Sequence, residues 1–506
     1  MAHTAEAYNY LVISDLHLQE ADKNPAGRLF YFDQEFADFL RHYRLFHVEK
    51  RRWKLIIDGD FIEFYHIPHQ PSPDDKLLRG VNLTETDLRF FPGTEWQKSV
   101  WKLRLILSSH PQLLLALARF VADGNEIYIL RGNHDLEFFW PEVQDHFRLL
   151  VAQHHPVDKS YIEMKMAVKN SIHFVPWFYL EKDLLYVEHG HQYDPYCSNK
   201  NNLCPVLEDN PRQLELALSA FTMRYFVSRI QKIDPAAMEN VSSIPKYLTH
   251  LIRNNWRQIA AMPVYYAEML MRTLRKVRAK RSGVGGTDDE LDRMEGRVRE
   301  EIKAAYGLPD ETLRRLEALS SEPVLLSWWS TLKVFYIDLL LGGLLVGILG
   351  SRAVSHLTFL GRWSSSVFIG LILVVILLEG KRRIGSFNDH RNLRDIARVI
   401  RETVGCRYVV FGHSHDPDAY PLSLEHDQWY FNVGTWVPRR GDGQFIYLEI
   451  LTRDEGPTAR LMRWDRRRQQ PVDLGPGWYA KKRKAQKAIL TQQEGGMNGR
   501  GSSPGA

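Results

Sequence analysis

The sequence predicts an α/β fold that carries an inserted helical region and a hairpin of two apolar helices. Three observations predict it. Short apolar runs rich in β-formers recur at 10–13, 54–57, 127–130 and 184–187, and again at 408–411 and 429–431. Each is too short for a helix, and the chain between the first four reads as helix, which is the α/β alternation. Five of the runs end in clusters of Asp, Asn or His, and open α/β sheets build their sites at the carboxyl ends of strands.

Composition bounds the rest. The 506 residues are 44% hydrophobic, 25% charged and 12% aromatic. Those values exclude wholesale disorder, a fibrous repeat and a polytopic membrane protein. The 3 cysteines, at 197, 204 and 406, are too few for a disulfide scaffold and suit a reducing compartment. No basic-then-apolar stretch opens the chain, so no secretory signal peptide is expected. The net charge of +5 is uneven: between 463 and 487 nine Lys/Arg face two Asp. That basic stretch is either a solvated terminus or a contact for an anionic surface.

The elements follow in order. Residues 1–210 hold the first part of the α/β domain. From 211 to 327 no strand-like alternation is seen, and the segment reads as a helical insertion. Within it 240–281 is loosely amphipathic, 282–286 is a Gly-rich break, and Thr287 to Glu290 has the form of a capping box. The stripe of Met and Tyr at 262–271 reads as helix core, or else as a groove for acyl chains.

Residues 328–380 contain two apolar segments, 334–350 with the single charge Asp338 and 363–378 with none. They lie near the lower limit of about 17–25 residues for a spanning helix, and Trp328, Trp329 and Trp363 lie at their ends, as interfacial belts prefer. The predicted hairpin leaves both flanks on one side. Lys381, Arg382 and Arg383 put that side in the cytoplasm by the positive-inside rule. Residues 381–465 complete the α/β domain, and 466–506 read as a basic, disordered tail.

The chemistry lies in the strand-end clusters: Asp15-Leu16-His17, Asp58-Gly59-Asp60, Gly132-Asn133-His134-Asp135, His189-Gly190-His191 and Gly412-His413-Ser414-His415. Carboxylate and imidazole are the donors for borderline divalent metals such as Mn, Fe, Zn or Ni. Seven candidate ligands are too many for one tetrahedral ion. They suit two ions about 3.5–4 Å apart that share a carboxylate, clamp a phosphoryl group and activate a water. One such cluster is weak; five in order, each after a strand, are specific.

These motifs resemble those of the calcineurin-like metallophosphoesterases, over roughly 8–195 and 385–455 of this chain. The resemblance implies a β-sandwich flanked by helices. It implies that Asp15, His17, Asp60 and His415 hold one metal, and that Asp60, Asn133, His189 and His413 hold the other. It implies that His134 protonates the leaving oxygen or stabilises the developing charge, with Asp135 orienting it. Asn432-Val433-Gly434-Thr435 resembles the strand-turn after the last motif of that superfamily.

More narrowly, Ser14 to Leu18, Gly59 to Glu63, His189-Gly190 and Gly434-Thr435-Trp436 are similar to the UDP-2,3-diacylglucosamine pyrophosphatases of lipid A synthesis. Those enzymes work at the inner membrane surface. This chain departs from them in having His134 where Arg is common, and in its insertion and hairpin.

Several neighbours are weighed separately. Asp58, one residue from Asp60, is expected to face away and to be structural. Glu63 either supports the site or caps a helix. His191 and Arg131 are candidate substrate-binding residues. Asp194 and Asp416 either orient imidazoles or are surface acids. Cys197 and Cys204 lack zinc-site spacing, and His66 and His69 read as loop residues.

The expected function is a membrane-attached phosphoesterase with two divalent metals, Mn first among them, acting on a phosphorylated small molecule or lipid. The rivals are a nuclease, which the hairpin argues against, a protein phosphatase, and a non-catalytic membrane scaffold. Oligomeric state does not follow from the sequence.

Overall fold

The computed structural model describes residues 8–20, 31–227 except 68, 70, 73, 74 and 91, 262–281, 288–327, 329–331, 390–423, 425–437 and 444–475. The predicted hairpin segments at 334–350 and 363–378, the break at 282–286, the cap at Thr287 and the tail from 476 lie outside the described residues.

The first part of the chain supplies β1 (Asn9–Ile13), β2 (Trp53–Asp58), β3 (Glu126–Leu130), β4 (Ile172–Val175), β5 (Tyr179–Glu181) and β6 (Leu185–Glu188). A small hairpin, β7 (Val206–Leu207) and β8 (Asn210–Leu214), follows. The last part supplies β9 (Tyr408–Phe411), β10 (Asp418–Ser423), β11 (Gln428–Asn432), β12 (Ile446–Arg453), β13 (Gly456–Asp465) and β14 (Gln470–Asp473). Seven strands form one sheet in the order β14-β13-β12-β1-β2-β3-β4, and five form a second in the order β10-β11-β9-β6-β5. β1 to β4 are parallel, as are β6, β9 and β11, and β12 joins β1 antiparallel.

Strand periodicity divides the side chains into layers. Tyr10, Val12, Ile56 and Leu130 pack between the sheets against Leu185, Val187, Tyr408 and Val410. Their neighbours Leu11, Ile13, Leu55 and Ile57 face the opposite way, into helices Asp33–Leu45, Trp96–Ser108 and Pro111–Ala122. On the far side of the second sheet, Tyr186, Val409, Phe411 and Tyr430 are covered by Ile396, Ala397 and Ile400 of helix His390–Val404. Ile302 of helix Asp288–Tyr306 and Leu313 and Leu316 of helix Asp310–Glu317 complete that layer. The insertion thus supplies part of the domain's own core. Because helices cover both sheets, strand residues are buried on both faces and read as unbroken apolar runs. Each large apolar side chain so buried contributes roughly 1.5–3 kcal/mol.

Two details differ from the sequence reading. β8 begins at Asn210 and runs through residues expected to be helical; Pro211, which lacks an N–H, is tolerated on a two-stranded edge. The ordered domain also extends beyond 465. β14 pairs with β13 from Gln470 to Asp473, Arg466 bonds Glu35 and Gln469 bonds Asp38, so the basic tail starts later than 466.

Among the described residues no single helix is long and apolar enough to cross a membrane. The bent pair Trp96–Ser108 and Pro111–Ala122 reaches that length and composition together, but Trp101, Leu103, Ile106, Leu113 and Leu117 are buried in the layer on the first sheet. The Met and Tyr stripe divides: Met269 is buried against Phe90, Phe221 and Tyr225, whereas Val264 and Met271 are exposed.

Candidate metal centre

The backbone turns tightly where the strands end. Asp15, His17, Asp60, His413 and His415 have φ of 55, 48, 48, 62 and 55°. None is glycine, and such conformations cost about 1–3 kcal/mol each unless the surroundings impose them. The surroundings do impose them. His17 N donates to Asp60 O at 2.9 Å and Leu18 N to Phe61 O at 2.9 Å, which locks the first two loops together. Thr435 Oγ1 donates to Asp15 O at 2.8 Å, which ties the last strands to the first, and Asn432 Nδ2 donates to Gly412 O at 2.7 Å, which joins the ends of β11 and β9.

Imidazoles and carboxylates converge as a result. His415 Nε2 lies 3.0 Å from Asp15 Oδ1, and His17 Nε2 lies 3.8 Å from the same atom. His17 Nε2 is also 3.7 Å from Asp60 Oδ2, and His189 Nε2 is 3.3 Å from it. Asp15, His17 and His415 form one group able to hold a cation; Asp60, His189 and His413 form another; His17, Asp60 and His134 link them. Second contacts fix the rings. His189 Nδ1 faces Asp58 O at 2.7 Å, and His413 Nε2 faces Asp194 Oδ2 at 3.2 Å. Glu63 Oε2 lies 3.2 Å from His17 Nδ1 and 2.6 Å from His134 Nδ1.

Charge follows geometry. Burial opposes ionisation of Asp15 and Asp60, yet His415 beside Asp15 and His189 and His134 beside Asp60 hold both carboxyls below the usual carboxylate range. Burial acts on Glu63 in the same sense, but His134 and His17 lower it to about 2. Burial favours neutral His134, and Glu63 and Asp60 override it, so the ring keeps its proton above its ordinary range. Asp58 is different: burial pushes its carboxyl well up.

The residues fit divalent cations on their own chemistry. Asn133 Oδ1 is buried without a hydrogen-bond partner, and His17 Nε2 and His415 Nε2 stand 3.2 Å apart. Two imidazole nitrogens and an orphaned amide oxygen beside ionised carboxylates make a donor set that a cation satisfies. Two glycines let the loops that carry these donors approach one another. A Cβ on Gly132 would meet Asp60 Oδ1 at 2.2 Å, and one on Gly412 would meet Ser14 Oγ at 2.0 Å.

The other candidates fall in distinct places. Asp135 does not hold His134. Its oxygens accept from Gly132 N at 2.6 Å and Phe61 N at 2.8 Å, so it shapes the loop while Glu63 takes the orienting place. Arg131 is buried over the Phe139 ring, and its guanidinium donates to the carbonyls of Pro176 and Asn202. With His191, Gln192 and Glu188 it lines a cavity of about 10 Å³ behind His189, room for about one water. Burial, together with His189 and His413, keeps His191 neutral.

A buried ion pair that the sequence reading missed underlies the site. Lys102 Nζ and Glu137 Oε1 are 2.6 Å apart with both side chains fully buried, and the ammonium lies 5.4 Å from the Phe64 ring centre and 5.8 Å from that of Tyr65. Their spacing of 35 residues carries no local pattern that would have revealed them.

Residues 8–215 match the family model of the calcineurin-like phosphoesterases. That stretch of the chain is similar to the superfamily. Comparison with curated proteins returned no match. That family is one of metal-dependent hydrolases, and the His and Asp groups fit a metal site, so the chain is a metal-dependent phosphoesterase.

Proposed function

We propose that the protein is a membrane-attached, two-metal phosphoesterase that cleaves a phosphoester or pyrophosphate in a lipid-linked substrate of the UDP-2,3-diacylglucosamine type. The observation that carries the hydrolytic reading is the pair of cation-binding groups linked through Asp60 and flanked by His134. Asp15, His17, Asp60 and His415 hold one ion and Asp60, Asn133, His189 and His413 the other. Divalent ions there, Mn²⁺ first, supply Lewis acidity toward a phosphoryl group and an activated water.

The chain's own residues do the rest. Glu63 takes the Nδ1 side of His134, which leaves Nε2 to give its proton to the leaving oxygen. Ser14 and the backbone N–H of His413 hold Asp15 Oδ2, so Oδ1 is the oxygen left toward the cation. Attachment to the cytoplasmic face of the membrane rests on the two apolar segments at 334–350 and 363–378 and on Trp329 just before them, which is 68% exposed.

Phosphorus NMR tests the reading. The full chain is incubated with Mn²⁺ and UDP-2,3-diacylglucosamine, with Asp60→Asn as control. UMP and the lipid phosphate are expected from the parent alone. Their absence, from a preparation that still hydrolyses a simple phosphodiester, would overturn the substrate and leave the hydrolase.

A further inference from the structure

The loop after β6 does two jobs. It begins with His189, which faces Asp60, and five residues later Asp194 reaches His413 on the loop after β9. Asp194 is itself held on both sides. Tyr196 N donates to its Oδ1 at 2.9 Å, and its carbonyl accepts from Cys197 N at 2.9 Å and Ser198 N at 2.8 Å. Oδ2 is thereby aimed at the His413 ring. A carboxylate on the outer nitrogen of a metal-bound imidazole fixes its tautomer and orientation.

The insertion grips this loop. Ser321 N donates to Gln192 O at 2.8 Å, Ser321 Oγ to Tyr193 O at 2.7 Å and Val324 N to Pro195 O at 3.0 Å. Ser219 N donates to Tyr196 O at 3.0 Å from the other end of the insertion. These contacts bracket Asp194. Val324 and Leu325 then pack with Met269 of helix Met262–Arg281, and the chain enters the apolar segment at 334 soon after.

We propose that Asp194 is a positioning residue for the second metal site, and that the strap at residues 321–324 holds it in place, so that the helical insertion sets the affinity of that site. The proposal rests on the reading of His413 as a metal ligand, not on the lipid substrate. Unstrapped, the loop loses three hydrogen bonds and Asp194 no longer fixes the His413 ring. The site of Asp15, His17 and His415 makes none of these contacts and keeps its ion.

Calorimetry of the full chain with Mn²⁺, without substrate, tests this, and metal binding is read apart from hydrolysis. The parent binds two ions. Asp194→Ala weakens one of them by about 10–100-fold, the range for losing such a partner, and spares the other. Asp194→Asn, which retains one acceptor oxygen, recovers part of the loss. Ser321→Ala and Val324→Pro weaken the same ion by a smaller factor; proline removes the N–H at a position where a helical turn begins.

Nitrogen NMR of the His413 ring shows a mixture of tautomers in each weakened variant, and a single tautomer in Asp194→Ala overturns the positioning role. Unchanged affinity for both ions in Asp194→Ala overturns the proposal. Weakening in Asp194→Ala with unchanged affinity in Ser321→Ala overturns the part assigned to the strap. A parent that binds fewer than two ions removes the premise and overturns both.

Discussion

Replacing Gly132 with alanine tests the geometry of the shared carboxylate. The added Cβ would lie 2.2 Å from Asp60 Oδ1 and 2.4 Å from Asp60 N. Non-bonded heavy atoms settle at about 3.5 Å, so the two loops must part by about 1 Å. Neither side yields easily: Asp60 O accepts from His17 N at 2.9 Å, and Asp60 Oδ1 accepts from His134 N at 2.8 Å. Metal–ligand distances tolerate only about 0.2 Å. A misplacement of about 1 Å costs on the order of 100-fold in rate, or about 2.7 kcal/mol of barrier. Overpacking costs the fold about 1–3 kcal/mol. The assay is kcat on bis(p-nitrophenyl) phosphate with Mn²⁺, beside Mn²⁺ affinity and a thermal melt. Gly296→Ala is the control: it lies inside helix Asp288–Tyr306 with nothing within 4 Å, and a gain of about 0.5–1 kcal/mol with unchanged kcat is expected. Gly132→Ala with kcat within threefold of the parent, at unchanged Mn²⁺ affinity, would refute the reasoning.

Further outcomes follow from the same contacts. Glu63 raises the proton affinity of His134, so the acid stays protonated to higher pH in the parent; in Glu63→Gln the alkaline limb of kcat/KM moves to lower pH, and an unmoved limb counts against the assignment. Lys102→Met leaves Glu137 buried without its partner and should cost about 3–5 kcal/mol in urea unfolding; adding Glu137→Leu should recover most of it, and two additive losses would show that the pair is not coupled. EDTA should abolish hydrolysis, and Mn²⁺ should restore it in the parent but not in Asp60→Asn, as measured by phosphodiester turnover.

The parts legible in the sequence were those with local pattern. The apolar runs at β1, β2, β3, β6, β9 and β11 announce themselves because both faces of each are buried, and candidate metal ligands stand at the ends of all but β11. β12 to β14 are harder to read. β12 carries Glu449 inside its apolar run, a buried acid made tolerable by the Tyr43 hydroxyl at 2.8 Å, a partner 406 residues away. The division of labour between Glu63 and Asp135 was not legible either. Asp135 is next to His134 in sequence, but its side chain closes onto backbone N–H groups, whereas Glu63 reaches the ring through space. Asp194 carried a weak signal, an acid near a ligand, and only the fold says which imidazole it meets.

The pairing of β1 has a consequence for synthesis. Val12 and its neighbours are central in the first sheet, with β2 on one side and β12 on the other. β2 follows within a few dozen residues, but Ile450, the partner of Tyr10, leaves the ribosome roughly 440 residues later. At about 5–20 residues per second that is a wait of roughly 20–90 s, during which β1 stands as an open, apolar edge. The apolar segments at 334–350 and 363–378 are translated inside that interval. A fragment ending at 215 would keep the unpaired edge permanently.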